Sequence, residues 1–266
     1  MRLGVLGPEG TFSEKAARRW SPKADLVYFG DFEDILRAVE SGSLDLGMVP
    51  LENSLEGAVP LVMDVLLELD VKIAGEMSLP VRHCLMSQDL GEIKVIISHP
   101  QPLGQCRKFI KEHYPKAEVR ATGSTSHAAK LAQEFPEMAS IAGADTAEKY
   151  GLRILARDIQ DGIDNVTRFA VVGKEIPEPT GRDKTSMVVY LDRDRPGALC
   201  QVLQEFSLRS INLTRVESRP SRRGLGDYYF YIDLEGHISD GHVQGALVGI
   251  KRNAAEVKVL GSYPRA

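Results

Sequence analysis

The sequence predicts an α/β fold with a mainly parallel sheet over its first 175 or so residues, followed by a small βαββαβ domain of the ferredoxin-like pattern. Three observations predict it. Short apolar runs of strand length alternate with stretches of helical period. The polar segment Glu175–Lys184, with Pro177, Pro179 and Gly181 and no apolar period, then interrupts them as a linker, placed at 177–185. About 80 residues with a rhythm of their own follow.

In chain order, Arg2–Leu6, Leu26–Phe29, Leu46–Val49 and Lys94–Ile97 read as strands. Thr11–Trp20 reads as a helix, with Glu14 three residues after Thr11, the capping-box spacing. Asp31–Glu40 has Asp31 as N-cap and Phe32, Ile35, Leu36 and Val39 on one face. Glu56–Leu69 and Gln101–His113 are further helices, and Ser124 or Thr125 caps another through Ala128, Ala129 and Leu131. In the tail, Ser186–Leu191 is a strand and Arg195-Pro196-Gly197-Ala198-Leu199 opens a helix. Ile211–Ser218 is the second strand, Ser221–Asp227 a turn, and Tyr228–Leu234 the third strand. Asp240–Lys251 is the second helix and Val257–Leu260 the last strand.

Composition bounds the function. Of 266 residues, 43% are hydrophobic and 26% charged, enough to build a core. The net charge of −4 argues against a general nucleic-acid binder. No apolar run approaches the ~18 residues of a membrane span. The N-terminus lacks the features of a signal peptide, so a cytoplasmic protein is expected. Cys84, Cys106 and Cys200 lie far apart, so neither a disulfide framework nor a zinc site is expected.

Polar clusters fall at strand ends just before helices: Gly7–Glu14, Glu52–Gly57, Ser98–Cys106 and Gly123–Ser126. In open α/β sheets ligands bind outside the carboxyl ends of strands, where helix starts offer unpaired N–H groups. Ser, Thr, Asn and Gln add neutral donors, so the convergent reading is a pocket for a small anion built from dipoles. For any one cluster a plain helix cap is the commoner role of a Ser or Thr. A fifth cluster, Asp164–Phe169, reads as strand; Asn165, Thr167 and Phe169 share one face and Val166, Arg168 and Ala170 the other. The alternative is an ordinary edge strand with polar residues facing water.

Other chemistries fit poorly. The run Gly7-Pro8-Glu9-Gly10 is not G-x-G-x-x-G, and Pro8 removes an N–H where a pyrophosphate needs one. There is no nucleophile elbow, and the six histidines are scattered. His113 and His237 read as surface residues, His83 and His127 are ambiguous, and His99 either orients its neighbours or packs as a hydrogen-bonded histidine. No spacing suggests a metal.

Taken in order, these clusters resemble the prephenate dehydratase family over nearly the whole chain. The motifs are Gly-Pro-x-Gly-Thr-Phe-Ser at 7–13, Glu-Asn-Ser at 52–54, Ser-His-Pro-Gln…Gln-Cys at 98–106, Ser-Thr-Ser at 124–126 and Thr-Arg-Phe at 167–169. The tail resembles an ACT regulatory domain, with Gly197-Ala198-Leu199 and Glu217-Ser218-Arg219-Pro220 as its effector motifs. Pro102 stands where the family is expected to have alanine. No mutase or dehydrogenase segment is recognised, so the resemblance is to the monofunctional form.

The resemblance implies a bilobal catalytic domain like a type II periplasmic binding protein at 1–176, with lobes 1–76 plus 160–176 and 77–159, and an ACT domain at 186–263. The implied reaction is prephenate to phenylpyruvate with loss of carbon dioxide and water, in L-phenylalanine biosynthesis, with no cofactor and no metal. It implies catalytic roles for Thr167, Glu52, Asn53, Ser98 and Gln105. Thr167 is expected at the leaving hydroxyl and Glu52 as the carboxyl of its proton network. Thr11, Ser54, Ser124, Thr125, Ser126, Asn165 and Phe169 are expected at the substrate, and Arg168 in a structural role. Pro196, Gly197, Ala198, Leu199, Asn212, Leu213, Glu217 and Ser218 are expected to hold L-phenylalanine at an interface between paired ACT domains of a homodimer or homotetramer. An arogenate dehydratase and a non-catalytic anion sensor remain as alternatives.

Overall fold

A computed structural model describes residues 1–162, 165–191, 196–224 and 227–266. Asp164 of the fifth cluster, Arg195 at the expected helix start, and Leu225 and Gly226 of the expected turn lie outside the described residues. The first part of the chain runs β1 (Arg2–Leu6), α1 (Phe12–Trp20), β2 (Asp25–Phe29), α2 (Phe32–Ser41), β3 (Leu46–Asn53), β4 (Gly57–Ala58), α3 (Pro60–Glu68) and β5 (Lys72–Pro80). It continues with β6 (Cys84–Ser87), β7 (Val95–Ser98), α4 (Pro100–Gln105), α5 (Arg107–His113), β8 (Glu118–Ala121), α6 (Thr125–Glu134), β9 (Met138–Ala142), α7 (Ala144–Tyr150), β10 (Arg153–Ala156) and β11 (Val166–Gly173). The tail holds β12 (Asp183–Tyr190), α8 (Ala198–Ser207), β13 (Leu213–Pro220), β14 (Tyr228–Glu235), α9 (Gly241–Lys251) and β15 (Glu256–Pro264).

The α/β character is as expected. The first sheet has the order β2-β1-β3-β11-β5, with β4 on β3, and β1 and β2 are parallel. The second, β10-β6-β9-β7-β8, is mixed: β7 is parallel to β8 and β9, whereas β6 is antiparallel to β9 and β10. Two compact units are present, one of Met1–Ile35, Met48–Val59 and Ser78–Phe169, the other of Leu36–Gly47, Pro60–Met77 and Ala170–Ala266.

Three boundaries differ from expectation for physical reasons. β3 runs on through Pro50 to Asn53, since extended backbone tolerates the fixed φ of proline at the loss of one N–H. The helix expected from Glu56 begins at Pro60, because Asn53 Oδ1 accepts the N–H groups of Leu55 (2.9 Å) and Glu56 (3.2 Å) and closes a turn there. Gly57, at φ +81°, takes the left-handed conformation that folds β4 back on β3. The helix expected at Gln101–His113 is two, α4 and α5, parted at Cys106 (φ −114°, ψ 18°).

The tail sheet is antiparallel in the order β13-β14-β12-β15. Counted within the tail this is 2-3-1-4, the ferredoxin-like arrangement. One face, through Met187, Val189, Ile232 and Leu234, packs on Val202 and Phe206 of α8 and Val243, Ala246 and Ile250 of α9. The other face meets α3 and β5. Tyr231 Oη donates to Met63 O at 3.1 Å, and Lys258 Nζ donates to Leu67 O and Leu69 O at 2.7 Å. Lys184 Nζ meets both oxygens of the buried Glu76 at 2.8 Å. A register shift between Leu213 and Arg215 marks a bulge in β13. Such a bulge re-aims the side chains beyond it, and Leu213 packs with the helical core while Arg215 and Arg219 reach α3.

Candidate active site

Where β3 ends beside β11, buried Asn53 joins several elements. Its Nδ2 donates to Asn165 Oδ1 at 2.7 Å and to Thr167 Oγ1 at 3.0 Å, while Oδ1 holds the turn just described. An amide has two N–H groups and two acceptor lone pairs, and all four are satisfied here. Asn165, 2% exposed, passes the chain on: its Nδ2 donates to Gln105 Oε1 at 2.8 Å. Ser54 closes the same corner. Its N–H donates to Val166 O at 2.9 Å and its Oγ accepts from Val166 N at 3.0 Å.

Gln105 ends α4. Its Oε1 accepts from Asn165 and meets His83 Nε2 at 2.8 Å, so Nε2 must carry the imidazole proton. His83 is 1% exposed, lies edge-on to Phe12 at 5.7 Å, and its Nδ1 has no partner among the described residues. Burial pushes its pKa below the ordinary 6.5, against the opposing effect of the Gln105 hydrogen bond. A neutral imidazole therefore fixes Gln105, and a neutral chain runs His83–Gln105–Asn165–Asn53–Thr167. Thr167 accepts at its oxygen, which leaves its O–H proton as a donor.

Gln105 Nε2 donates to Glu56 Oε1, and Gln101 Nε2 to Glu56 Oε2, each at 2.8 Å. These groups line a cavity of about 620 Å³ together with Leu55, Pro100, Asp161 and Gly162. Helix α4 has only six residues, so its amide side chains, more than its dipole, supply the donors.

Other expected residues go elsewhere. Glu52 Oε1 accepts from Arg168 Nη1 at 2.8 Å. Alternation along β3 and β11 puts this pair on the face opposite Asn53 and Thr167, so the structure does not bring Glu52 to the threonine. Ser98 Oγ is fully buried and donates to Ile141 O at 2.6 Å. Ser126, also buried, donates to Glu9 O at 2.7 Å, and Phe169 is core. Thr11 caps α1, accepting from Glu14 N at 3.3 Å and donating to Leu6 O at 3.0 Å, while Glu14 takes the N–H of Gly10 instead of that of the cap residue. Ser124 caps α6 by accepting from His127 N at 3.0 Å, and Thr125 opens that helix. His99 caps α4.

In the tail, Gly197 is the N-cap of α8 at φ +83°, with Pro196 exposed beside it, Ala198 buried and Leu199 half-buried. Asn212 is exposed and Leu213 opens the edge strand β13. Glu217 is ion-paired with Arg215, and Ser218 is exposed. Arg219 of the same motif reaches Asp64 on α3 at 2.9 Å.

Three residues of this site, Glu56, His83 and Gln101, are not among those the sequence assigns to it: Glu56 reads as a helix start, Gln101 as one more member of the Ser98–Cys106 cluster, and the contacts of His83 are long-range.

Known proteins match this architecture. The prephenate dehydratase family model matches residues 3–177 and the ACT domain model residues 185–251. A prephenate dehydratase of Methanocaldococcus jannaschii is 40% identical over 267 residues, 97% of this chain and 96% of the relative. The crystal structure of a prephenate dehydratase from Arthrobacter aurescens in complex with L-Phe is 38% identical, with a TM-score of 0.90 over 100% of this chain and 90% of that one. GqqA, described as a novel type of quorum quenching acylase, is 28% identical with a TM-score of 0.88 over 100% of this chain and 98% of that one. One fold thus hosts more than one chemistry, and the family match together with the full-length relative decides membership. The chain belongs to the prephenate dehydratase family and carries an ACT domain.

Proposed function

We propose that this chain converts prephenate to phenylpyruvate, carbon dioxide and water. The observation that carries the reading is the neutral hydrogen-bonded chain from His83 through Gln105, Asn165 and Asn53 to Thr167. In prephenate the bond from the ring to its carboxylate breaks and its electron pair enters the ring. The bond to the ring hydroxyl breaks at the opposite carbon, and the departing oxygen takes a proton to leave as water. Aromatisation drives the step, so no electron sink is required. Asn53 pins the Thr167 oxygen as an acceptor and aims its O–H at the departing hydroxyl, directly or through one water. A proton then returns to Thr167 from solvent. The amides of Gln101 and Gln105 are donors for a substrate carboxylate.

The catalytic domain is assigned to 1–176 and the ACT domain to 183–264, since β12 begins at Asp183 and β15 ends at Pro264, which shortens the linker expected at 177–185 to 177–182. L-Phenylalanine is assigned to the ACT domain, at Gly197–Leu199 and the start of β13, as a feedback inhibitor. β13 stands at the edge of the tail sheet, a place that suits side-by-side pairing with a second copy, as a dimer or a dimer of dimers.

Purified protein incubated with prephenate, and separately with arogenate, tests the reading. Carbon dioxide and phenylpyruvate from prephenate, at a higher kcat/KM than arogenate gives, supports it. Binding without release of carbon dioxide from either would make the chain an anion sensor.

A further inference from the structure

The Glu56 carboxylate is held by neutral donors alone. Gln101 and Gln105 each give it one N–H at 2.8 Å, and among the described residues no ion pair involves it. The same two amides face the 620 Å³ cavity, whose other charged lining group is Asp161.

Gln105 cannot turn to serve another ligand. Its oxygen already takes N–H groups from His83 and Asn165, and rotating the amide would set donors against donors. Its donor face therefore points where Glu56 stands. A substrate carboxylate entering the cavity wants these N–H groups, so it competes with Glu56 for them and is repelled by it.

We propose that Glu56 is a specificity-determining residue of the dehydratase site: a resident carboxylate that occupies the amide donors of Gln101 and Gln105 and must be displaced by a carboxylate of the substrate. The proposal rests on the dehydratase reading given above. Displacement weakens the bound substrate and the transition state alike, so Glu56 acts on KM and not on the chemical step. It also excludes ligands without an anionic group strong enough to expel it.

The test is steady-state kinetics with prephenate on the full chain, comparing wild type with Glu56→Ala and Glu56→Gln. Glu56 is exposed, so both variants should fold, which circular dichroism checks. Removing the charge should lower KM by about tenfold, with kcat within about threefold of wild type in both variants. An unchanged or raised KM would overturn the proposal, because Glu56 would then not compete with the substrate. A hundredfold loss of kcat would overturn it too, by placing Glu56 in the chemical step. If the wild type does not turn over prephenate, the dehydratase reading falls and the proposal with it; a failure confined to the variants leaves that reading standing.

Discussion

Asn53 Nδ2 donates to Thr167 Oγ1 at 3.0 Å while the other side of the same amide accepts two backbone N–H groups. One residue thus builds the turn after β3 and orients the threonine. Asn53→Asp separates the roles. A carboxylate still accepts from Leu55 and Glu56 but donates to neither Asn165 nor Thr167. The fold should be kept at a lower thermal midpoint, because a buried carboxylate oxygen then faces Asn165 Oδ1, while kcat falls by about a hundredfold or more. Asn53→Ala, which loses both roles, should also cost about 1–3 kcal/mol of stability in urea titration.

His83 gives a pH prediction. Burial holds its folded-state pKa below the ordinary 6.5. As pH falls below about 6.5 the unfolded chain takes a proton on this residue and the folded chain does not. The unfolded state then binds more protons, so stability is full above about 6.5 and declines with acidification until the folded pKa is passed. His83→Gln should flatten this part of the curve between pH 7.5 and about 5.5, as urea midpoints would record. An identical slope in the variant would mean that other groups carry the dependence.

Arg219 and Arg222 both reach Asp64, at 2.9 and 3.2 Å, and thereby tie the Glu217–Pro220 motif to α3. Helix α3 follows directly on the segment that holds Asn53 and Glu56. Asp64→Asn should leave kcat without phenylalanine near wild type and raise the phenylalanine concentration for half-inhibition by about fivefold or more. An unaltered inhibition curve would remove this ion pair from regulation.

Gly261 lies against β5 so closely that a Cβ there would stand 2.1 Å from Ile73 O and 2.7 Å from Ile73 N. Backbone cannot yield as a side-chain tip does. Gly261→Ala should destabilise the protein by about 3 kcal/mol, seen as a lower denaturant midpoint.

Local signals made part of this structure legible. The Thr11 and Ser124 caps are written in a few neighbouring residues, and so is the strand–helix alternation. The period of β11 alone puts Thr167 and Arg168 on opposite faces. Had β3 been read through Pro50, the same alternation would have turned Glu52 away from Asn53 and Thr167. The proline, an ordinary end to a strand, concealed this. Glu56 was hidden because the acceptor of Asn53 stops a helix that the apolar period would have started earlier. His83 meets Gln105 across 22 positions of sequence and Asp64 meets Arg219 across 155. No local pattern encodes such pairs; packing decides them.

The central claim is that the Thr167 hydroxyl, aimed by neutral amides, helps the ring hydroxyl leave. The most direct measurement is kcat for phenylpyruvate formation from prephenate by wild type, Thr167→Ser and Thr167→Ala, with folding checked by thermal melts. The account predicts that serine retains a substantial share of the rate and that alanine loses about 10²- to 10⁴-fold with an unchanged melt. Turnover by Thr167→Ala within a few-fold of wild type would contradict it.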